Sequence, residues 1–334
     1  MDGYASVASA QENVDLVADY QAITDGVGLV DLSARTQIEL TGDDRASFLH
    51  NLCTSEIKKL PTGSGAELFL TDARGHILAH GFAFAGPSSL VLETVEGVGP
   101  QLIQHLDRYQ IREKVKFIDR SNDWAELLVA GAKAPEFLLG LGIANVPEAR
   151  LAHIETQLFD QPISLRRVEF TNSPGFMVSC PRADQNMIRE KLIAAGARAC
   201  REAAFEAARI EAGLPVYGRD ISDKNLPQEV ARDERTISFT KGCYIGQETV
   251  ARIDALGHVN RTLVGLRFAS QQVPEAGLEL SASGQVVGQV TSAAFSPRFH
   301  AAIALAYVRR GSNTPGFKLT SALGDAEIVK LPMA

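Results

Sequence analysis

Lys241-Gly242-Cys243-Tyr244-Ile245-Gly246-Gln247-Glu248 sets one thiol among two glycines, a cation, an aromatic ring, an amide and a carboxylate. Such a mixture is poor core material and good site material. The glycines let the backbone adopt strained conformations or approach a ligand closely, Lys241 could favour the thiolate of Cys243, and Gln247 and Glu248 offer directional hydrogen-bonding groups. A solvated turn carrying an unreactive cysteine accounts for the same residues, so local chemistry leaves both readings open.

Working outward, Arg201 to Ala212 is rich in Ala, Glu and Arg and closes at Gly213 with Pro215 beyond, which predicts a helix. A polar stretch from Ser222 to Arg235 then leads irregularly to the octapeptide. After Arg261 the character changes. Short β-like runs at 262–268, 278–280, 285–291, 301–308 and 326–331 are punctuated by Gly and Pro, which predicts a small barrel joined near Leu256 to Asn260.

Upstream, a polar leader over residues 1–20 precedes a strand at Thr36 to Leu40 and a helix at Arg45 to Leu52, with Thr41 and Asp44 at capping-box spacing. Strands at 66–70 and 76–84 flank Thr71-Asp72-Ala73-Arg74-Gly75 as a hairpin. A strand at 89–93 and a helix at 99–109 follow. A second set has strands at 124–130, 163–170 and 175–180 and helices at 135–140 and 184–195. Strands and helices without regular alternation predict an α+β architecture with two such subdomains over residues 21–255 and the barrel over 256–334.

The bulk properties exclude several classes of function. A chain of 334 residues with 45% hydrophobic and 22% charged residues is globular, and its net charge of −7 excludes general nucleic-acid binding by counterion release. No run of residues is apolar for long enough to span a membrane, and Met1 to Tyr20 contains no Lys or Arg, unlike a signal peptide or presequence. Cys53, Cys180, Cys200 and Cys243 lie far apart, with no zinc spacing, which predicts a reducing cytoplasm and no metal site. Cys53 and Cys200 read as small buried hydrophobes, and only Cys243 has a reactive neighbourhood.

The Lys-Gly-Cys-Tyr-x-Gly-Gln-Glu pattern at 241–248 resembles the signature of YgfZ-type folate-binding proteins, relatives of the glycine-cleavage T protein. Gly28-Leu29-Val30-Asp31-Leu32-Ser33, Arg209-Ile210-Glu211-Ala212-Gly213 and Gly288-Gln289-Val290-Thr291-Ser292 look like further stations of that superfamily. The resemblance implies a three-part, cloverleaf-like arrangement around a central channel that accepts tetrahydrofolate or a derivative. It also implies a role in maturing or repairing iron–sulfur enzymes, with those proteins or their assembly factors as partners.

On this resemblance, Glu211 contacts the pterin ring, whose edge presents adjacent N–H donors to a bidentate carboxylate. An exposed helical glutamate paired with a neighbour is the plain alternative. Arg209 reads as a scaffold salt-bridge former. Cys243 is a functional thiol whose reaction stays open, with Lys241 tuning it and Gly242 and Gly246 setting the loop. No local histidine supplies a base for hydrolase chemistry. Tyr244 stacks on a ring or packs in the core, Gln247 and Glu248 bind ligand or pin the loop, and Arg252 and Arg261 attract a glutamate tail or pair on the surface.

One departure matters for the chemistry. T proteins carry an aspartate after the strand near residues 90 to 93 that assists reaction at the folate nitrogen. Here the run is Leu92-Glu93-Thr94-Val95-Glu96-Gly97. Glu93 or Glu96 substitutes only if geometry compensates, so the residues argue against glycine-cleavage aminomethyl transfer while leaving folate binding intact.

Overall fold

The computed structural model describes residues 10–334, so the first nine residues of the expected leader lie outside the described residues. From Ala10 onward the leader expectation is corrected, because the chain forms helix α1 (Ala10–Thr24). Leu16, Tyr20 and Ile23 fall at helical spacing and pack into the core, and α1 lies along a later helix, α6 (Glu202–Glu211). Val14 and Val17, apolar but exposed, blur this stripe in the sequence.

Strand β1 (Gly28–Asp31) precedes β2 (Thr36–Thr41), helix α2 (Arg45–Leu52), β3 (Gly65–Thr71), β4 (Ile77–Ala85), β5 (Ser89–Thr94), helix α3 (Gly99–Asp107) and β6 (Lys116–Asp119). The antiparallel sheet β3-β4-β5-β2-β6 forms the first unit. Its hairpin turn is held by Asp72, whose Oδ1 accepts from the amides of Arg74 and His76. The capping box does not form. Asp44 makes no side-chain cap bond to α2, and its Oδ2 accepts from the Lys114 amide at 2.8 Å.

The second unit comprises β7 (Trp124–Ala130), helix α4 (Ala134–Gly140), β8 (His153–Leu158), β9 (Gln161–Val168), β10 (Gly175–Pro181), helix α5 (Gln185–Ala194) and β11 (Arg198–Ala199). Its sheet runs β11-β1-β7-β10-β9-β8, so β1 and β2 are sequence neighbours in different sheets and stitch the units together. After α6 the connector holds two further helices, α7 (Asp233–Thr236) and α8 (Gln247–Leu256). The last two residues of the octapeptide therefore begin a helix, where the sequence suggested only loop. Gly246 and Gly257 bracket α8, and Val250 and Ile253 are its buried anchors.

Strands β12 (Arg261–Phe268), β13 (Glu279–Ala282), β14 (Gln285–Ser296), β15 (Ala301–Arg309), β16 (Lys318–Ser321) and β17 (Gly324–Val329) close into a barrel in the order β12-β15-β14-β13-β16-β17. Each unit has its own apolar cluster, and a further cluster is shared. Phe69 and Phe82 of the first unit, Leu128 and Met177 of the second, Ile210 of α6 and Leu305 of the barrel meet there. At roughly 25 cal/mol per Å² of buried apolar area, such a junction favours one three-unit body over three separate domains. Among the described residues, no helix is long and apolar enough to cross a membrane.

A buried ionic cluster spans the seam between the two sheets. Arg166 Nη1 donates to Glu126 Oε1 at 2.8 Å and lies 3.7 Å from Glu93 Oε2, while Arg35 Nε donates to Glu93 Oε1 at 2.5 Å. Burial, followed by the neighbouring charge of Glu93, pushes the Glu126 carboxyl up to about 8. A carboxyl raised in the folded state stabilises the fold below its unfolded pKa, and that contribution is lost as pH rises through the folded value. Glu126→Gln should therefore flatten the pH dependence of unfolding between about pH 5 and about pH 9, with the variant gaining on wild type towards alkali. Parallel pH profiles in thermal melts would refute this.

Candidate functional site

The octapeptide straps the connector onto the first unit. Lys241 is buried, and Nζ donates to the carbonyls of His50, Cys53 and Ser55 at 2.5, 2.7 and 2.8 Å. An ammonium has three N–H donors, and all three are used. The sequence expects Lys241 to tune Cys243; in the structure its hydrogen bonds go to main-chain oxygens of α2 and its exit. Burial lowers the pKa of Lys241. The charge also lies 4.8 Å from the centre of the Tyr244 ring, which is buried and whose phenol is pushed up to about 12, first by burial. Ile245 completes the strap, its amide donating to Asn51 O at 3.0 Å and its carbonyl accepting from Thr71 Oγ1 at 2.5 Å.

The two glycines differ in what they do. Gly246 has φ +84°, and a Cβ there would lie 2.5 Å from Asp72 O and 2.8 Å from Gly75 Cα, both main-chain atoms of the hairpin turn. Gly242 does not require left-handed geometry, and the nearest atom to its hypothetical Cβ is His50 Nε2 at 3.9 Å, so its expected conformational role is corrected. Gly246→Ala should cost about 1–3 kcal/mol, whereas Gly242→Ala should stay within about 0.5 kcal/mol of wild type. Urea unfolding of both variants measures the contrast, and equal stabilities would overturn this assignment.

Between the strap residues Lys241 and Tyr244, Gly242 and Cys243 are exposed, and the Cys243 thiol is free. The nearby His50 is almost fully buried and was missed in the sequence. Its Nδ1 lies 3.0 Å from Glu56 Oε1, while Nε2 faces Gly242. Burial, then the charge of Lys241, lowers the His50 pKa, with Glu56 opposing. Nothing in the chain marks this pair, because His50 and Glu56 lie about 190 residues before the motif, with His50 at the end of an ordinary helix. The other thiols are set apart. Cys53 is fully buried and Cys180 buried, both pushed up to about 11 by burial. Cys200, expected to be buried, is only partly so and donates to Arg198 O at 3.1 Å.

Glu211 ends α6 and is 2% exposed, so the exposed-glutamate alternative is overturned. Tyr20 Oη donates to Oε2 at 2.7 Å and Ser296 Oγ to Oε1 at 2.6 Å. Burial raises the carboxyl pKa, and these two hydrogen bonds oppose the rise. The residue borders a cavity of about 520 Å³ between α1, the Asn172-Ser173 turn and barrel residues Pro297, Arg298 and His300. Each carboxylate oxygen keeps acceptor capacity after one neutral hydrogen bond, which suits a ligand edge with two adjacent donors.

The remaining expected residues stand elsewhere. Gln247 Oε1 accepts from the Tyr244 amide at 3.3 Å and pins its own loop, while Glu248 and Arg252 are exposed on α8. Arg261 pairs with Glu229 at 3.2 Å and stacks over Tyr307. None of these, nor Tyr244, lines the Glu211 cavity. The octapeptide thus has partners on α2 and the β3–β4 turn, and Glu211 has partners on α1 and the barrel. Of the two glutamates weighed against the missing aspartate, Glu93 is fully buried in the seam cluster and Glu96 is exposed on the turn after β5. Neither lines the Glu211 cavity.

Two α+β units and a closed barrel around a shared core define an aminomethyltransferase-like fold. The GCVT N-terminal domain matches residues 4–241, and the glycine cleavage T-protein C-terminal barrel domain matches residues 261–333. The chain belongs to this glycine-cleavage T-protein family. An aminomethyltransferase of Rippkaea orientalis is 28% identical over 313 residues, covering 90% of this chain and 83% of the relative. One from Streptomyces avermitilis is 29% identical over 310 residues, covering 89% and 82%. The crystal structure of glycine cleavage system aminomethyltransferase T from Bartonella henselae matches with a TM-score of 0.87 at 22% identity, covering 96% of this chain and 89% of that one. That likeness concerns the fold.

Proposed function

We propose that this chain is a tetrahydrofolate-binding factor of the YgfZ type, supporting maturation or repair of iron–sulfur enzymes, with Cys243 as its functional thiol. The observation that carries the folate reading is the buried carboxylate of Glu211 beside a cavity, with two neutral donors leaving acceptor capacity on both oxygens. The residues fit the ligand: Glu211 would hold the pterin edge, and the cation of Arg298 borders the same cavity for an anionic tail. Tetrahydrofolate would bring nitrogen atoms that carry one-carbon groups. For the iron–sulfur role, the support is the octapeptide signature together with the exposed thiol held between two buried strap residues.

A one-carbon transferase acting on an amine is the second reading, favoured by the names of the relatives. Against it stands the carboxylate inventory, since Glu93 is engaged by Arg35 and Glu96 faces solvent. Calorimetry should show saturable tetrahydrofolate binding that weakens in Glu211→Gln, and turnover assays with aminomethyl donors should yield no methylene-tetrahydrofolate. A Cys243→Ala strain should lose iron–sulfur enzyme activity while the purified variant still binds folate. Absent binding defeats the folate reading, turnover establishes the transferase, and full activity of the Cys243→Ala strain removes the thiol's role. Partner capture unaffected by disrupting the pocket would instead favour an interaction scaffold.

A further inference from the structure

We infer that the cleft between the first and second sheets is a separate binding site for a small amine carried on a flat ring. The cleft holds about 360 Å³ and shares no lining residue with the Glu211 cavity. Its walls are apolar where Phe84, Val91, Trp124 and Ile163 line it, which suits a ring.

The polar groups select what that ring carries. His153 lines the cleft at 7% exposure, its ring edge-on to Phe84 with centroids 5.6 Å apart, and its Nδ1 has no hydrogen-bond partner among the described residues. Burial, then the charge of Arg166, pushes this imidazole down to about 4. A neutral imidazole keeps one acceptor lone pair, so it can receive an N–H from a ligand. Arg166 also lines the cleft, but its Nη1 is directed to the interior, 2.8 Å from Glu126 Oε1 and 3.7 Å from Glu93 Oε2, and its guanidinium lies 4.8 Å over the Phe84 ring. At the mouth, Glu39 is neutralised by Arg120 at 2.9 Å, whereas Glu155 is exposed and makes no ion pair among the described residues. The unpaired charge at the mouth, where an incoming ligand arrives, is therefore negative. Apolar walls, a neutral acceptor and an acidic rim together favour an amine over a carboxylate.

Trp124 is the only tryptophan in the chain, so its emission reports on this cleft directly. Titrating the full-length protein with benzylamine should give a saturable change in that emission, and benzoate should need about tenfold more or show none. Glu155→Gln, an exposed substitution that leaves the core untouched, should raise the half-saturating benzylamine concentration about threefold to tenfold, and His153→Phe should do the same if thermal melts show it folded. A response that never saturates, equal responses to benzylamine and benzoate, or a Glu155→Gln titration indistinguishable from wild type would each overturn the proposal.

Discussion

Arg209→Met should cost about 3–5 kcal/mol of unfolding free energy, the largest loss expected from any single substitution outside the apolar cores. The Arg209 side chain is fully buried, and all five of its guanidinium N–H groups have acceptors. Nε and Nη2 donate to the two oxygens of Glu206 at 2.7 and 2.6 Å, Nη1 to Leu214 O and Asp220 Oδ2, both at 3.1 Å, and Nη2 also to Ser292 Oγ at 3.0 Å. Those acceptors belong to α6, the connector and β14, so one side chain fastens three parts of the fold. Methionine fills the space but leaves Asp220 without its cation at 2% exposure. Arg209→Lys keeps the charge and loses the fork, so it should recover only part of the loss. Urea unfolding decides the matter, and a loss below about 1 kcal/mol would show that the network adds little over its apolar surroundings.

The scaffold role of Arg209 was legible in the sequence from the motif Arg209-Ile210-Glu211-Ala212-Gly213 at the end of a predicted helix, although its partner Glu206 was not. The barrel was legible because Gly and Pro interrupt β-like runs at short intervals, and five of those runs overlap strands of the closed sheet, while the short β16 was not among them. What stayed hidden had partners without sequence marks. Helix α1 also carries the exposed apolar residues Val14 and Val17, so its core face of Leu16, Tyr20 and Ile23 becomes visible only against α6. Tyr20 and Ser296 hold Glu211 through single hydroxyl groups from opposite ends of the chain. The signature suffered most from this limit. Its lysine is satisfied by main-chain oxygens, which every residue possesses, so residue identity could not distinguish a thiol-tuning cation from a structural clasp.

That clasp makes Lys241→Met the most informative test of the octapeptide. The substitution keeps the apolar stem beside Tyr244 and removes three donors from the carbonyls of His50, Cys53 and Ser55, which accept at 2.5, 2.7 and 2.8 Å. Buried acceptors left unpaired cost about 1–3 kcal/mol each, less whatever water regains on entering, so a net loss of about 2–4 kcal/mol is expected. Most of it should be local. The Ile245 amide, bonded to Asn51 O at 3.0 Å, should exchange its hydrogen faster than in wild type, while amides in the barrel strands keep their protection. Lys241→Arg should not restore the strap, because a planar fork cannot direct three donors at carbonyls grouped around one nitrogen. If the lysine tuned Cys243 instead, Lys241→Met would slow alkylation of that thiol and leave Ile245 exchange unchanged. Faster exchange at Ile245 without slower alkylation identifies Lys241 as the residue that holds the loop presenting Cys243.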